Sequence, residues 1–193
     1  MTDTARRDSA STRAAILASA RRAFARAGYD GAGLREIAAG AGVTAMMVNR
    51  YFGSKEALFG EVMATIMSAP RVLDDALMAR PDAAEILARA VVGMTGPEAE
   101  PLDAFLIMLH SASSPTAVAV TRREIERNHQ ASVAGGLAGP DAEVRAGLIL
   151  AIVSGVQTVR QVVGVSTLAE ADPEVLIRFL TALFSSLLAP RKV

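Results

Sequence analysis

Apolar residues recur along the chain at three- and four-residue intervals, and no stretch alternates strictly enough for a strand, so the pattern predicts an all-α protein. Residues 1–8 are small and polar and read as a tail. A first helix is predicted over 9–27, with Ile16, Ala20, Phe24 and Ala27 along one face and Gly28 as its stop. Two short helices follow at 34–39 and 45–52. A longer one starts at Ser54, a suitable N-cap, and should kink or end at Pro70. Beyond that, Pro81, Pro101, Pro115, Pro140 and Pro173 each precede a helical pattern, with Ser114 and Asp172 as caps. The segments 96–100 and 164–171 read as loops. The chain thus divides into a three-helix head, residues 9–53, and a larger helical regulatory and dimerisation body, residues 54–193.

The most informative stretch runs from Leu34 to Tyr51. Two helices of about two turns are joined by a connection so short that it must form a tight corner, the helix-turn-helix arrangement. Gly42 supplies the positive φ such a corner commonly needs. Ala38 sits where the two axes approach, and Thr44 caps the second helix. Val43 and Val48 bracket that cap as a hydrophobic staple, and Glu36 can reach back to the N–H near Gly33. Ile37, Val48 and Tyr51 or Phe52 can turn inward onto Phe24. The second helix then offers Thr44, Ala45, Met47, Asn49 and Arg50 to the major groove of double-stranded DNA. Ala45 and Met47 suit a thymine methyl, while Asn49 and Arg50 suit adenine, guanine or phosphate. Arg35 and Lys55 are candidate phosphate contacts, and Tyr51 closes the set.

Charge supports this division. Residues 1–60 hold nine Lys and Arg against five Asp and Glu, whereas residues 61–193 hold eleven against fifteen. A basic front on an acidic back fits a nucleic-acid-binding head. Arg13, Arg21, Arg22 and Arg26 read as solvated surface rather than DNA ligands. The chain has no cysteine, which removes disulfides and thiolate metal sites. His110 and His129 lack ligand-like spacing, so no metal is expected and no cofactor is implied. No nucleophile–base pair or glycine-rich phosphate loop argues for an enzyme. The apolar run from Ala146 to Val156 is too short to span a bilayer and reads as a buried helix. No membrane partner is expected, and the cytoplasm is the expected location.

From about Thr12 to Met63 the sequence resembles the tetracycline-repressor (TetR) family of regulators. The matching positions are Ile16-Leu-Ala-Ser-Ala20, Phe24, Gly28-Tyr29, Leu34-Arg-Glu-Ile-Ala38, Ala41-Gly-Val-Thr44, Tyr51-Phe52, Ser54-Lys-Glu56 and Leu58-Phe59. Three departures stand out. Gly33 replaces the usual Ser or Thr, Asn49 stands where relatives commonly place Tyr, and the recognition helix opens Thr44-Ala-Met-Met with few polar groups for bases. The resemblance implies a sequence-specific DNA-binding transcriptional regulator. It implies a homodimer on a near-palindromic operator, repression, and release by a small ligand.

Within the body, the segment 141–163 is apolar nearly all round, with Gly147, Ala151 and Gly155 repeating every four residues. The last helix, 173–189, adds Leu176, Phe179, Leu180, Leu183 and Phe184. As the family suggests, these two helices are expected to pair with their copies in a four-helix dimer interface. Methionines 63, 67, 78, 94 and 108 supply soft apolar surface. Met63, Met67, Phe105, Met108, Leu109 and His110 are the expected lining of a pocket for a small apolar ligand. A shift of the helix 54–69, which joins head to body, is the expected switch.

Overall fold

The computed structural model describes residues 3–67, 75–96, 99 and 103–189. It is helical, with no strand among the described residues. The chain separates into two compact units, one formed by Met1–Ala69 with Leu102–Glu124, the other by Pro70–Pro101 with Ile125–Val193. The sequence boundary at 53/54 therefore falls inside the first unit.

The first unit contains α1 (Asp3–Gly31), α2 (Leu34–Gly40), α3 (Ala45–Phe52), α4 (Lys55–Met67), α7 (Asp103–His110) and α8 (Pro115–Glu124). Helix α1 begins earlier than the polar tail suggested, because helical backbone runs from Asp3. Gly28 breaks it, at φ 66° and ψ −177°. Ile16, Ala20 and Phe24 are fully buried from its inner face, together with Ile37, Leu58, Phe59, Met63 and Ile107. Phe24 and Tyr29 both meet Phe59 edge to face, with ring centroids 5.0 and 5.1 Å apart. Burial, with the Glu56 and Asp30 charges behind it, raises the Tyr29 phenol above its ordinary pKa.

The end of α1 is tied to the end of α7 by polar contacts. His110 donates from Nδ1 to the Ala25 carbonyl at 2.7 Å, and Ser111 Oγ accepts from Tyr29 N at 2.9 Å. Ser114 precedes α8 as expected, but its hydroxyl donates to Asp30 Oδ1 at 3.3 Å. Ser54 caps α4, accepting from Ala57 N at 3.0 Å. Pro70 and Pro101 lie outside the described residues.

The second unit contains α5 (Asp75–Met78), α6 (Ala83–Met94), a π-helical segment (Ile125–Gln130), α9 (Ala131–Gly135), α10 (Ala142–Gln157), a second π-helical segment (Thr158–Val162), α11 (Ser166–Ala169) and α12 (Pro173–Leu188). Helix α11 occupies part of the segment read as a loop. Pro173 opens α12, and Asp172 caps it by accepting from Glu174 N at 2.8 Å. The core joins Leu87, Val91, Ile149, Ile177, Leu180 and Phe184.

Two buried arginines brace this unit. Arg145 donates to the carbonyls of Ala138, Gly139, Pro140, Leu187 and Ala189. Arg160 donates to the carbonyls of Val92 and Leu168 and to Thr95 Oγ1, and burial lowers its guanidinium pKa. Both lie within the continuous helical stretch Ala142–Val162, which is long and apolar enough by composition to cross a membrane. The apolar run 146–156 lies inside this longer helix, whose extent agrees with the segment expected over 141–163. Its two guanidinium groups are anchored on protein carbonyls, and one side of it packs in the unit's core while the other is exposed.

Candidate nucleic-acid interface

Helices α2 and α3 form a corner whose backbone follows from its sequence. Gly42 takes φ 69°, the only described residue between the two helices to do so. Val43 N donates to the Ala38 carbonyl at 3.0 Å, closing the turn. Ala38 and Ile37 are buried, and Ser19 Oγ donates to the Ile37 carbonyl at 2.8 Å. A Cβ added at Gly40 would stand 2.4 Å from that hydroxyl, so α1 and α2 approach closely at this point. Thr44 caps α3 as expected, its Oγ1 accepting from Met47 N at 3.3 Å. Glu36 does not reach back to the N-terminus of α2, where Gly33 has no side-chain cap. It pairs instead with Arg26.

The orientation of α3 is set by Val48 and Phe52, both buried and four residues apart. Asn49 and Arg50 consequently face solvent, as does Thr44. Ala45 and Met47 are half-buried. Met46 is the outward apolar side chain, 81% exposed, and the sequence reading missed it in favour of its neighbour. The signal was available. Counting back two residues from inward-facing Val48 turns about 200° around the helix, whereas Met47 lies only about 100° away.

The flanking residues have acquired partners. Tyr51 is half-buried and donates from its hydroxyl to Ser9 Oγ at 3.3 Å. Lys55 lies over the Tyr29 ring, 4.8 Å from its centroid, and donates to the Asp30 carbonyl at 3.5 Å. That holds its ammonium beside the end of α1, with the side chain's flexibility reduced. Arg35 is exposed in the first turn of α2. Arg13 and Arg21 pair with Glu61 and Asp103, while Arg22 is exposed, so these α1 arginines belong to the surface as expected. Arg13 also lies over the Phe52 ring at 4.9 Å, fixing the far end of α3 against α1.

The structure divides the residues expected at the dimer face and in the pocket. Leu180 and Phe184 do not belong to an outward dimer face; they are buried in the second unit's own core, and Leu176 packs against it. Gly147, Ala151 and Gly155 lie toward the outside, beside exposed Val144 and Leu148, and Phe179 and Leu183 are 61% and 50% exposed. Of the expected pocket lining, Met63, Met67 and Phe105 are buried, and Met108 and Leu109 are half-buried. His110 is exposed and spends Nδ1 on Ala25, so it is not the polar group of an enclosed cavity. Met78 is buried in the second unit and Met94 half-buried. No group of three or more metal-ligating side chains occurs among the described residues.

A capped, outward-facing second helix on a glycine corner defines a helix-turn-helix DNA-binding protein. Comparison with known proteins specifies which kind. Residues 16–62 match the model for bacterial regulatory proteins of the tetR family, and residues 81–188 match the tetracyclin repressor-like C-terminal domain. Among solved structures, the chain is similar to Salmonella enterica GusR, at 20% identity over 92% of this chain and 95% of that one, with a TM-score of 0.68. It is also similar to a TetR-family regulator from Streptomyces coelicolor A3, at 24% identity over 93% and 95% of the two chains, with a TM-score of 0.60. A transcriptional regulator from Rhodococcus sp. Rha1 aligns at 27% identity over 91% and 95%, with a TM-score of 0.52. No curated protein sequence matches the chain. The protein belongs to the TetR family and is a DNA-binding transcriptional regulator.

Proposed function

We propose that the protein is a cytoplasmic homodimeric repressor that grips a near-palindromic operator with α3 of each protomer and is released by a small apolar ligand. The observation that carries the DNA contact is the face Met46–Asn49–Arg50, outward and exposed while Val48 and Phe52 hold the opposite side in the core. Arg35 and the tethered Lys55 flank it as phosphate contacts, with Thr44 holding the helix cap and Ala45, Met47 and Tyr51 at its margin. Asn49 and Arg50 supply the hydrogen-bonding groups for base edges or phosphate.

Arg50→Ala and Asn49→Ala should each weaken operator binding by roughly 5- to 150-fold, corresponding to about 1–3 kcal/mol per lost base contact. The helical circular dichroism should stay unchanged, because both side chains are exposed. Titration against duplexes selected from a random pool measures this. Unchanged affinity in both variants would defeat the docking.

A second copy of the chain is the proposed occupant of the apolar face of α10 and α12. Val144, Leu148, Val175, Phe179 and Leu183 are exposed there, and a Cβ added at Gly147 or Gly155 meets nothing within 4 Å, leaving room for a close helix. With two copies joined, the heads must match half-sites roughly 34–36 Å apart or a multiple of that spacing. Phe179→Glu combined with Leu183→Glu should yield a folded monomer by sedimentation, with binding reduced to the level of an isolated half-site. A double variant that still sediments as a dimer would remove this interface. Ligand release requires a molecule that favours one separation of the paired heads over another. The buried Met63, Met67 and Phe105, with Met108 and Leu109 beside them, are the proposed contact surface, and α4 the element that shifts.

A further inference from the structure

We infer that Met46 reads the 5-methyl group of a thymine, so that apolar contact fixes one position of the half-site. The inference rests on the DNA-binding reading above and concerns what the recognition helix selects. Met46 is more exposed than any other large apolar side chain among the described residues. It stands one residue into an eight-residue helix, with Asn49 and Arg50 three and four positions further along the same outward side. That face therefore presents a thioether, an amide and a guanidinium to whatever it meets.

The chemistry of the groove limits what Met46 can touch with profit. Phosphate oxygens and the nitrogens and oxygens of base edges are strong hydrogen-bonding groups, and covering one with a group that cannot answer it costs desolvation. A thioether donates no hydrogen bond and accepts only weakly. The thymine methyl is the one apolar feature that a base pair of ordinary DNA displays in the major groove. Met is unbranched and adapts its shape, so it can cover a methyl without a fixed rotamer. The neighbouring residues are less available for the role. Thr44 Oγ1 is engaged in the cap with Met47 N, and Ala45 and Met47 are half-buried.

The full chain would first be used to select duplexes from a random pool. Each thymine of the selected half-site would then be replaced singly by deoxyuridine, which deletes the methyl and keeps every base-pairing group. One such replacement should weaken wild-type binding about four-fold, the value of one buried methyl. It should leave the affinity of Met46→Ala unchanged, while Met46→Leu should keep most of the wild-type response. Two results overturn the inference while the regulator reading stands: no deoxyuridine position affects the wild type, or the sensitive position affects Met46→Ala equally. Failure to enrich any duplex would overturn both together.

Discussion

Gly28→Ala is expected to destabilise the first unit by about 3–5 kcal/mol, lowering its melting temperature by roughly 10 °C or more. Two separate costs add. At φ 66° and ψ −177°, Gly28 occupies backbone territory that is essentially reserved for glycine. A Cβ there would also stand 2.2 Å from the His110 carbonyl oxygen and 2.7 Å from its carbon. Those are backbone atoms, held by the His110–Ala25 and Tyr29–Ser111 hydrogen bonds, and cannot swing aside as a side-chain tip would. Gly42→Ala meets a positive-φ cost without any clash. Gly42 has φ 69°, but nothing lies within 4 Å of its added Cβ, so it should lose only about 1 kcal/mol. Thermal melts of the two variants followed by circular dichroism make the comparison. Equal melting temperatures would mean that both the backbone and the α1–α7 contact at Gly28 yield freely, and the close approach would lose its structural significance.

That contrast also shows what a sequence can convey. Gly28 is readable as a helix stop, because glycine commonly ends helices. Its second role requires α7, some eighty residues away, and no local pattern encodes that meeting. The corner is legible for the opposite reason. Gly42, Thr44, Val48 and Phe52 interact within a few residues, so their spacing alone determines the turn, the cap and the buried face of α3. Even there, choosing Met47 over Met46 came from reading neighbours as equivalent when they differ by about 100° around the helix.

The last two long helices mark another boundary. Helix α12 has one apolar stripe through Ile177, Leu180 and Phe184 and another through Val175, Phe179 and Leu183. Hydrophobicity cannot tell which stripe serves the protomer's own core and which is left outside. Packing decides it, by placing the first stripe against Leu87, Val91 and Ile149. The two π-helical segments were equally unreadable, since a widened turn depends on what inserts beside it rather than on propensity. The burial of Arg145 is unreadable for the same reason: its position within the segment 141–163 is plain, but the carbonyls that receive it come from the preceding connection and from α12.

Arg145→Met should therefore cost the second unit about 3–5 kcal/mol, despite exchanging a charged residue for an apolar one of comparable length in a buried position. The guanidinium gathers main-chain carbonyls from two places. Ala138 and Pro140, at 2.6 and 3.1 Å, belong to the connection before α10, and Leu187, at 2.9 Å, is one of the last carbonyls of α12. Those terminal carbonyls have no partner within their own helix and carry its negative end, so a cation buried among them is favoured without a carboxylate. A planar fork of five donors can serve both groups at once. Methionine supplies none, and each buried carbonyl left unpaired costs about 1–3 kcal/mol. Arg145→Lys keeps the charge on a single point that cannot span both groups, so its stability should fall between wild type and Arg145→Met. The end of α12 would loosen in the same order, and with it the outward stripe holding Phe179 and Leu183. Urea melts should rank the three proteins in that sequence, and sedimentation should show association weakening in parallel. An Arg145→Met protein as stable as wild type would mean that water satisfies these carbonyls equally well and that the buried guanidinium does not hold the helix end.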